Sequence, residues 1–211
     1  MSRTLSIPIF PLAGAILFPR SQLPLHIFEP RYREMVRDAI DGAGQIGMIQ
    51  PLRIDDDNRA PLYDVGCVGE IVGIEELDDG RFNIVLLGAN RFRLLGEVAH
   101  EGAYRCASVD IEAFDDTEPD PLSLVERAEV EREARRLGDA MGLAVDWDAV
   151  ARLDDEMLVN AIAQVAPFDA GAKQALLEQA TLDGRADLLV QLMQFHRAAV
   201  TGGIEIEPTL Q

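Results

Sequence analysis

The apolar positions of this chain follow one period in its first half and another in its second. In the first half, short apolar runs alternate with polar residues and are broken by Pro and Gly at close intervals. This pattern is typical of short, half-buried strands. In the second half, apolar residues recur every three or four positions, as they do in amphipathic helices. The pattern therefore predicts an α+β chain in which a strand-rich part precedes a helical part.

Six short strands and one helix are predicted in the first half. Asp78-Asp79-Gly80 separates two of the strands and favours a hairpin, because glycine accepts a positive φ at the turn. Pro30 opens the helix and Gly42 closes it. Glycines inside the strands permit tight bending, which favours a small closed barrel. The predicted strands cover residues 5–10, 46–49, 65–77, 81–87, 91–98 and 104–114.

Four helices are predicted in the second half, after an acidic linker at 115–120. Asp120 is the expected N-cap of the first, and Asp169 and Asp183 are the expected caps of the third and fourth. The domains are thus expected at 1–117 for the barrel and 118–203 for the helical bundle, with a tail at 204–211. The residues predicted on buried helix faces are Val130, Ala134, Leu137, Met141, Leu158, Ile162, Val165, Leu176, Leu177, Leu188, Leu192, Phe195 and Ala199.

The charge balance excludes several classes of partner. The chain carries 37 acidic and 19 basic residues, a net charge of −18, and Lys173 is its only lysine. Such a surface repels phosphate backbones and anionic lipids, so neither nucleic acid nor a membrane is an expected partner. Pro8 and Pro11 break the one stretch that imitates a signal peptide. A cytoplasmic protein is therefore predicted.

Motifs for enzymatic chemistry are missing from the sequence. Lys173 is followed by Gln174, so no phosphate-binding GxxxxGK[ST] loop exists, and GxSxG, HExxH and CxxC are absent as well. Lys173 lies near the start of an amphipathic helix, where a solvated lysine is expected. Cys67 and Cys106 lie in strand-like runs and are expected to be inert, buried thiols. The sequence therefore predicts no catalytic residue, no metal and no cofactor.

Few polar residues remain as candidates for a site. His26 and Glu29 lack a third metal ligand or a nucleophile at a telling spacing, so a hydrogen bond that holds the turn into the first helix is the simpler interpretation. Arg91 and Arg93 are expected to pair with nearby acids, with Phe92 between them in the core. His196 is expected at a helix boundary, near the C-terminal dipole.

Several motifs occur in one order and at tight spacing: IPIFPL, LFPxxxLPLHIFEPRY, a GxIGMI-like stretch at 44–49, VGCVGEI, DDGRFNIVLLG and RFRLL. Over about residues 5–114 they closely resemble the N-terminal substrate-binding domain of Lon-type ATP-dependent proteases, and the helical half matches more loosely. The resemblance implies a PUA-like, six-stranded β pseudo-barrel followed by a C-terminal helical bundle. Full-length Lon proteases continue into an ATPase module and a Ser–Lys protease domain. This chain carries neither, so it resembles the stand-alone bacterial version of the domain.

The resemblance implies a non-enzymatic module that holds unfolded or extended polypeptide. The expected means are an apolar groove at the barrel–helix junction and free strand edges. Whether the protein works with a protease encoded elsewhere stays open at this stage. The candidate peptide-binding residues are Pro24, Leu25, His26, Phe28, Glu29, Arg31 and Tyr32, with Met35 as adaptable lining.

Three alternatives accompany this prediction. Leu25, Phe28 and Tyr32 are each also interpretable as core residues that pin the helix to the barrel. A second alternative is a small-molecule-binding or enzymatic domain that uses His26, Glu29 and Cys67. A third is a structural partner that oligomerises through its acidic helices. Convergence of His26 and Cys67 in a closed apolar pocket would favour the second alternative, and an open groove would favour peptide binding.

Overall fold

The computed structural model describes residues 3–53, 59–116 and 121–202. The chain splits into two compact units, Met1–Asp116 and Thr117–Gln211. The predicted cap Asp120 and the predicted tail at 204–211 lie outside the described residues. The first unit contains β1 (Thr4–Pro11), β2 (Gln22–Ile27), α1 (Pro30–Asp41), β3 (Gln45–Ile49), β4 (Val65–Glu76), β5 (Phe82–Val98) and β6 (Arg105–Asp110). The second contains α2 (Leu124–Ala140), α3 (Trp147–Val150), α4 (Asp155–Val165), α5 (Ala170–Glu178) and α6 (Leu182–Thr201).

The six strands form one sheet that closes on itself. Their order is β2-β5-β4-β3-β1-β6, and β5 also pairs with β6. Five strands therefore form a barrel-like ring, and β2 extends the sheet from the N-terminal half of β5. Among the described strands, only β1 and β3 pair in parallel. The predicted α+β class is confirmed, with a ring of strands rather than a strict barrel.

Two strand assignments differ from the prediction. Residues 81–87 and 91–98 were expected to be separate strands, but β5 continues through Gly88, which pairs with Gly69. The ladder absorbs the irregularity by shifting its register between Cys67 and Gly69. β2 was missed because its segment is rich in proline, and Pro24 is tolerated there because β2 lies at the end of the sheet.

The ring of strands encloses two apolar clusters. α1 closes the larger one by laying Tyr32, Met35, Val36 and Ala39 against it. Ile40, near the end of the helix, lies exposed. The smaller cluster centres on Phe92, which is fully buried as predicted. Burying a large apolar side chain contributes about 1.5–3 kcal/mol, and residues of β2 and β5 belong to the larger cluster, so burial stabilises both strands.

Two helices of the second unit, α2 and α6, begin at other caps than predicted. α2 starts after Ser123, whose side chain accepts from the Glu126 amide while Glu126 bonds back to the Ser123 amide. α6 starts after Thr181 rather than at Asp183, and Asp169 caps α5 as predicted. The short helix α3 was not predicted. Among the described residues, no helix is both long and apolar enough to cross a membrane.

Two predictions of buried helix faces are wrong. Val165 ends α4 and is largely exposed, because the chain turns away at Ala166. Phe195 is 74% exposed, and α6 buries the neighbouring stripe instead. Both apolar stripes of α6 have helical spacing, so the period of the sequence does not indicate which of the two is buried. The buried residues of α6 include Leu182, Ala186, Leu189, Val190, Met193 and Ala199.

Candidate functional site

β2 positions the first three candidate residues by strand alternation. Pro24 and His26 point to solvent, whereas Leu25 is half-buried and packs against the larger core cluster. Phe28, just beyond the strand, is 60% exposed, and its ring stacks on His26 with 6.2 Å between centroids. The interpretation of Phe28 as a core residue is therefore wrong. Pro24, His26 and Phe28 form one exposed strip, which we call the β2 strip.

α1 places the remaining candidates at different depths. Tyr32 and Met35 are buried in the core, so they support the surface from beneath and do not line it. For Tyr32 the alternative of a core role is confirmed, with its ring 4.3 Å from that of Phe10. Glu29 and Arg31 lie at the surface and form an ion pair of 2.7 Å. Arg31 also lies over the Tyr32 ring, 4.7 Å from its centroid.

His26 belongs to a row of hydrogen bonds across three strands. Its Nδ1 lies 2.7 Å from Asn83 Oδ1 in β5, and Asn83 Nδ2 donates to Glu75 Oε2 in β4 at 2.7 Å. Arg81 Nη1 lies 3.2 Å from His26 Nε2. Because a guanidinium can only donate, Nε2 accepts and the ring proton sits on Nδ1. The predicted hydrogen bond between His26 and Glu29 is wrong, since His26 bonds across the sheet.

An open depression lies beside the β2 strip. It has a volume of about 500 Å³ and is formed by matching residues of β2, β5 and β4. Gly73 opposes Val85 in the ladder and leaves room above it, because glycine has no side chain. The lining residues are Pro24, Leu25, His26, Gly73, Ile74, Glu75, Asn83, Ile84 and Val85. The depression is shallow and open, which suits a chain segment better than an engulfed small molecule.

The alternative site of His26, Glu29 and Cys67 is not assembled. Cys67 is fully buried in the core cluster and its thiol donates to the carbonyl of Val68. It does not line the depression that His26 borders. The structure therefore contradicts the alternative of a small-molecule or enzymatic site built from these three residues. In the ranges that the structure describes, no group of three potential metal ligands occurs.

Two further groups have a shifted pKa. Burial raises the pKa of the half-buried Cys106 thiol, and the charge of Asp38 adds to the effect. Lys173 was expected to be solvated, but it is half-buried and its Nζ donates to the carbonyl of Gln164 at 2.8 Å. Burial lowers the pKa of its ammonium group. Lys173 thus ties the start of α5 to the end of α4.

Arg91 has the structural role that was predicted. Its guanidinium is buried, with Nη2 2.8 Å and Nε 2.9 Å from Asp116 Oδ1, while its backbone amide donates to Oδ2 at 2.7 Å. The Phe114 ring covers it, 4.5 Å from the ring centroid. The exposed Arg93 lies over the same ring at 5.6 Å.

His196 was expected at a helix boundary but lies buried within α6, edge-on to Phe168.

The helical unit has an apolar pocket that sequence reasoning missed. Its volume is about 310 Å³, and it lies among α2, α3, α4 and α6. Trp147 lines it from α3, beneath the Arg135 guanidinium at 4.7 Å from the ring. The sequence does contain an indication of this pocket. Leu143, Val145 and Trp147 are apolar at alternate positions, whereas a solvent-exposed linker between two helices is usually polar.

Comparisons with known proteins identify a matching family model and several relatives of this chain. The family model described as the ATP-dependent protease La (LON) substrate-binding domain matches residues 6–194. Lon protease 2 of Desulfotalea psychrophila is 26% identical over 195 residues, covering 88% of this chain and 24% of that protein. Lon protease of Parabacteroides distasonis is 30% identical over 117 residues, or 54% of this chain and 14% of that protein. The chain thus spans about a quarter or less of the length of these relatives.

Two solved structures share the fold. The crystal structure of a Lon N-terminal domain protein from Xanthomonas campestris has a TM-score of 0.65 at 21% identity, covering 89% of this chain and 98% of that one. The N-terminal domain of Mycobacterium avium complex Lon protease has a TM-score of 0.65 at 19% identity, covering 91% of this chain and all of that one. At this identity the likeness concerns the fold, and it confirms the predicted architecture of strands followed by helices.

Proposed function

Since the chain belongs to the family of Lon substrate-binding domains, we propose that it is a non-enzymatic module that binds unfolded or extended polypeptide through the β2 strip and the adjoining depression. The proposal contains no catalytic step. Turnover of ATP or of an unfolded protein by the purified chain, in proportion to its concentration, would contradict it.

The observation that carries the proposal is the exposure of Phe28. A phenylalanine side chain that is 60% exposed next to an open depression provides apolar surface that folding leaves uncovered. Its stacking on His26 holds the ring in place, so little side-chain freedom is lost when a ligand covers it. An unfolded chain offers apolar side chains that a folded protein hides, and this surface can therefore discriminate between the two.

The charges around Phe28 support the same assignment. Glu29 and Arg31 form a partly exposed ion pair beside it, and surface pairs contribute only about 0–1 kcal/mol to folding. They are thus available to the main chain or side chains of a bound segment. Tyr32 and Met35 hold the underside of this surface in the core.

The test is binding to a permanently unfolded probe protein, reduced and carboxymethylated at its cysteines. Phe28→Ala should weaken binding about tenfold, because one exposed aromatic anchor carries much of the contact. Its free energy of unfolding should change by less than about 1 kcal/mol, whereas a buried Phe would cost about 3–5 kcal/mol. Glu29→Ala and Arg31→Ala should weaken binding less, with stability equally unchanged.

Phe195→Ala is the matched control, because Phe195 is a phenylalanine in α6 that is at least as exposed as Phe28. It should bind the probe like wild type. Equal binding by Phe28→Ala and wild type would overturn the proposal. So would loss of folding in Phe28→Ala, since the residue would then be part of the core.

The proposal also covers the partners of the chain. The relatives are Lon proteases, so a protease encoded elsewhere is the proposed recipient of bound segments, and co-purification from the source cells tests this. Nucleic acid is not a proposed partner, because a net charge of −18 removes the counterion release that drives such binding. A mobility shift of RNA or duplex DNA at micromolar protein, weakening as salt is raised, would contradict this part.

A further inference from the structure

The sheet leaves two strand edges without a partner among the described strands. β3 pairs with β4 only as far as Glu70, and the amide of Ile71 then donates to the Gly44 carbonyl. Beyond this point, Gly73–Glu76 of β4 pair with β5 alone. β2 likewise pairs with β5 alone. Unpaired strand edges present rows of N–H and C=O groups that an extended chain can join.

The main-chain groups of Ile74 and Glu76 face the open side of β4. The Leu77 amide donates to the Arg81 carbonyl at 2.8 Å, so Leu77 faces β5. Residues of an antiparallel strand alternate in the side to which their main-chain groups point. Glu76 and Ile74 therefore direct both N–H and C=O away from β5. We call this stretch, residues 72–76, the β4 edge.

The open side of β2 is interrupted. The Gly88 amide donates to the Ser21 carbonyl at 2.9 Å, so that carbonyl faces β5. By alternation, Gln22, Pro24 and His26 point their main-chain groups to the open side. Pro24 has no N–H, so a donor is missing in the middle of the row. Proline at an edge is a common means of preventing strand addition. The β4 edge contains no proline.

The side chains of the β4 edge indicate which ligand residues are complementary to it. Val72 and Ile74 are 52% and 49% exposed. Glu75 and Glu76 are exposed acids with surface partners: Glu75 accepts from Asn83 Nδ2, and Glu76 lies 3.5 Å from Arg37 Nη2. Such surface pairs contribute little to stability, so a basic ligand residue can replace these partners. Asp78 and Asp79 follow in the hairpin and add to the negative charge. A second copy of this edge would bring like charges together, which disfavours self-pairing. A segment that carries lysine or arginine around apolar residues is complementary to the negative charge of this edge and to its exposed apolar side chains.

We propose that the β4 edge binds an extended polypeptide segment as an added β strand, with apolar residues against Val72 and Ile74 and basic residues opposite Glu75 and Glu76. The inference rests on the proposed function and names its mode of binding. Main-chain hydrogen bonds at the β4 edge tolerate varied sequences, while the neighbouring depression and the acids select apolar and basic side chains. β2 lies three strand spacings from a strand added there, about 14 Å, so another part of the same polypeptide contacts the β2 strip, and it does so through side chains because Pro24 interrupts the edge of β2.

The probe is the synthetic peptide Lys-Lys-Val-Thr-Ile-Thr-Val-Lys-Lys, compared with two forms that are N-methylated at alternate residues of its centre. One form blocks the N–H groups of one side of the strand, and the other form blocks those of the opposite side. Only one side can face the protein, so one form should bind at least about tenfold more weakly and the other like the parent. Equal binding by all three peptides would overturn the inference.

Two variants of the protein locate the edge. Ile74→Pro removes an outward N–H from β4, and Gln22→Pro is its matched control on β2. Ile74→Pro should weaken binding of the parent peptide about tenfold, whereas Gln22→Pro should not change it. If Ile74→Pro does not fold, slower hydrogen exchange of the Ile74 and Glu76 amides in peptide-bound wild type provides the same information. Unchanged exchange at both amides would contradict the inference.

The outcomes separate this inference from the proposed function. Binding of the unfolded probe protein that needs Phe28 but ignores N-methylation of the peptide would leave the proposed function intact and overturn strand addition. Failure to bind either the unfolded protein or the peptide would overturn both.

Discussion

Depth of burial decides the chemistry of individual residues in the first unit. Cys67 and Cys106 were both expected to be inert, but they differ in exposure: Cys67 is fully buried and Cys106 only in part. The pKa of the Cys106 thiol is raised because burial penalises the thiolate and Asp38 repels it. At any pH below that pKa, Cys106 therefore holds less thiolate than a free cysteine, and the thiolate is the reactive form.

We expect Cys106 to react with iodoacetamide more slowly than a cysteine in a short peptide at pH 8. The rate should rise with pH along a curve displaced to higher pH than that of the peptide. Cys67 should react only when the chain unfolds. Mass spectrometry of timed samples measures both rates, and unfolding in urea should make the two thiols equally reactive. Alkylation of Cys106 at the rate of the peptide would contradict the assignment.

The site illustrates what single residues reveal in a sequence. His26 faces solvent from β2, a strand that the sequence did not predict, and its hydrogen-bond partners Asn83 and Arg81 are more than 50 positions away. Such pairs follow from strand register, which no local pattern specifies. Phe28 lies just after the strand, where alternation no longer determines which side of the sheet it takes. The exposure of Phe28 is therefore known only from the structure.

At the scale of elements, glycines set how closely segments approach. A Cβ at Gly88 would lie 1.9 Å from the Phe18 carbonyl oxygen, so the loop before β2 can cross β5 only at a glycine. A Cβ at Gly66 would meet the Phe92 ring at 2.3 Å and the Met48 carbonyl oxygen at 2.5 Å. The sequence suggested bending as the role of these glycines, and the structure assigns them close approach as well.

Gly88→Ala should therefore destabilise the protein by about 3 kcal/mol or more, because backbone atoms would have to move. Gly73→Ala is the control: its Cβ would make an ordinary contact with Val85 at 3.4 Å. Its effect on stability should stay within about 1 kcal/mol. Urea unfolding of the two variants measures the difference. Equal stability of both would show that the Phe18 loop adjusts freely.

The elements that sequence reasoning missed share a physical cause. β2 and the middle of β5 carry Pro24, Gly88 and Asn90, which are typical of loops, and tertiary pairing overrides that local preference. The strands and helices that were predicted correctly have strong periodicity and clear end signals, as in α1 between Pro30 and Gly42. The buried face of α6 was misassigned because two adjacent stripes were apolar, and only packing against α2 selects one.

At the scale of the whole molecule, the chain consists of two compact units. The first closes its ring of strands around its own two apolar clusters. Its last residues do more than connect the units. Asp116 neutralises the buried Arg91, and its carbonyl accepts a hydrogen bond from Arg20. Phe114 covers the Arg91 guanidinium. The stretch after β6 is thus part of the first unit, although the acidic run at 115–120 suggested only a linker.

A fragment of residues 1–117 should therefore fold by itself, whereas a fragment of residues 1–111 should be less stable by about 3–5 kcal/mol. The shorter fragment keeps every strand but leaves the Arg91 guanidinium buried without its carboxylate, and an unpaired buried charge is costly. In the full chain, Asp116→Ala should cost a similar amount, whereas Arg93→Ala, at an exposed position over the same ring, should cost less than about 1 kcal/mol. Urea unfolding followed by circular dichroism measures all four. Equal stability of the two fragments would mean that the buried pair contributes nothing to the first unit and that its boundary lies at the end of β6.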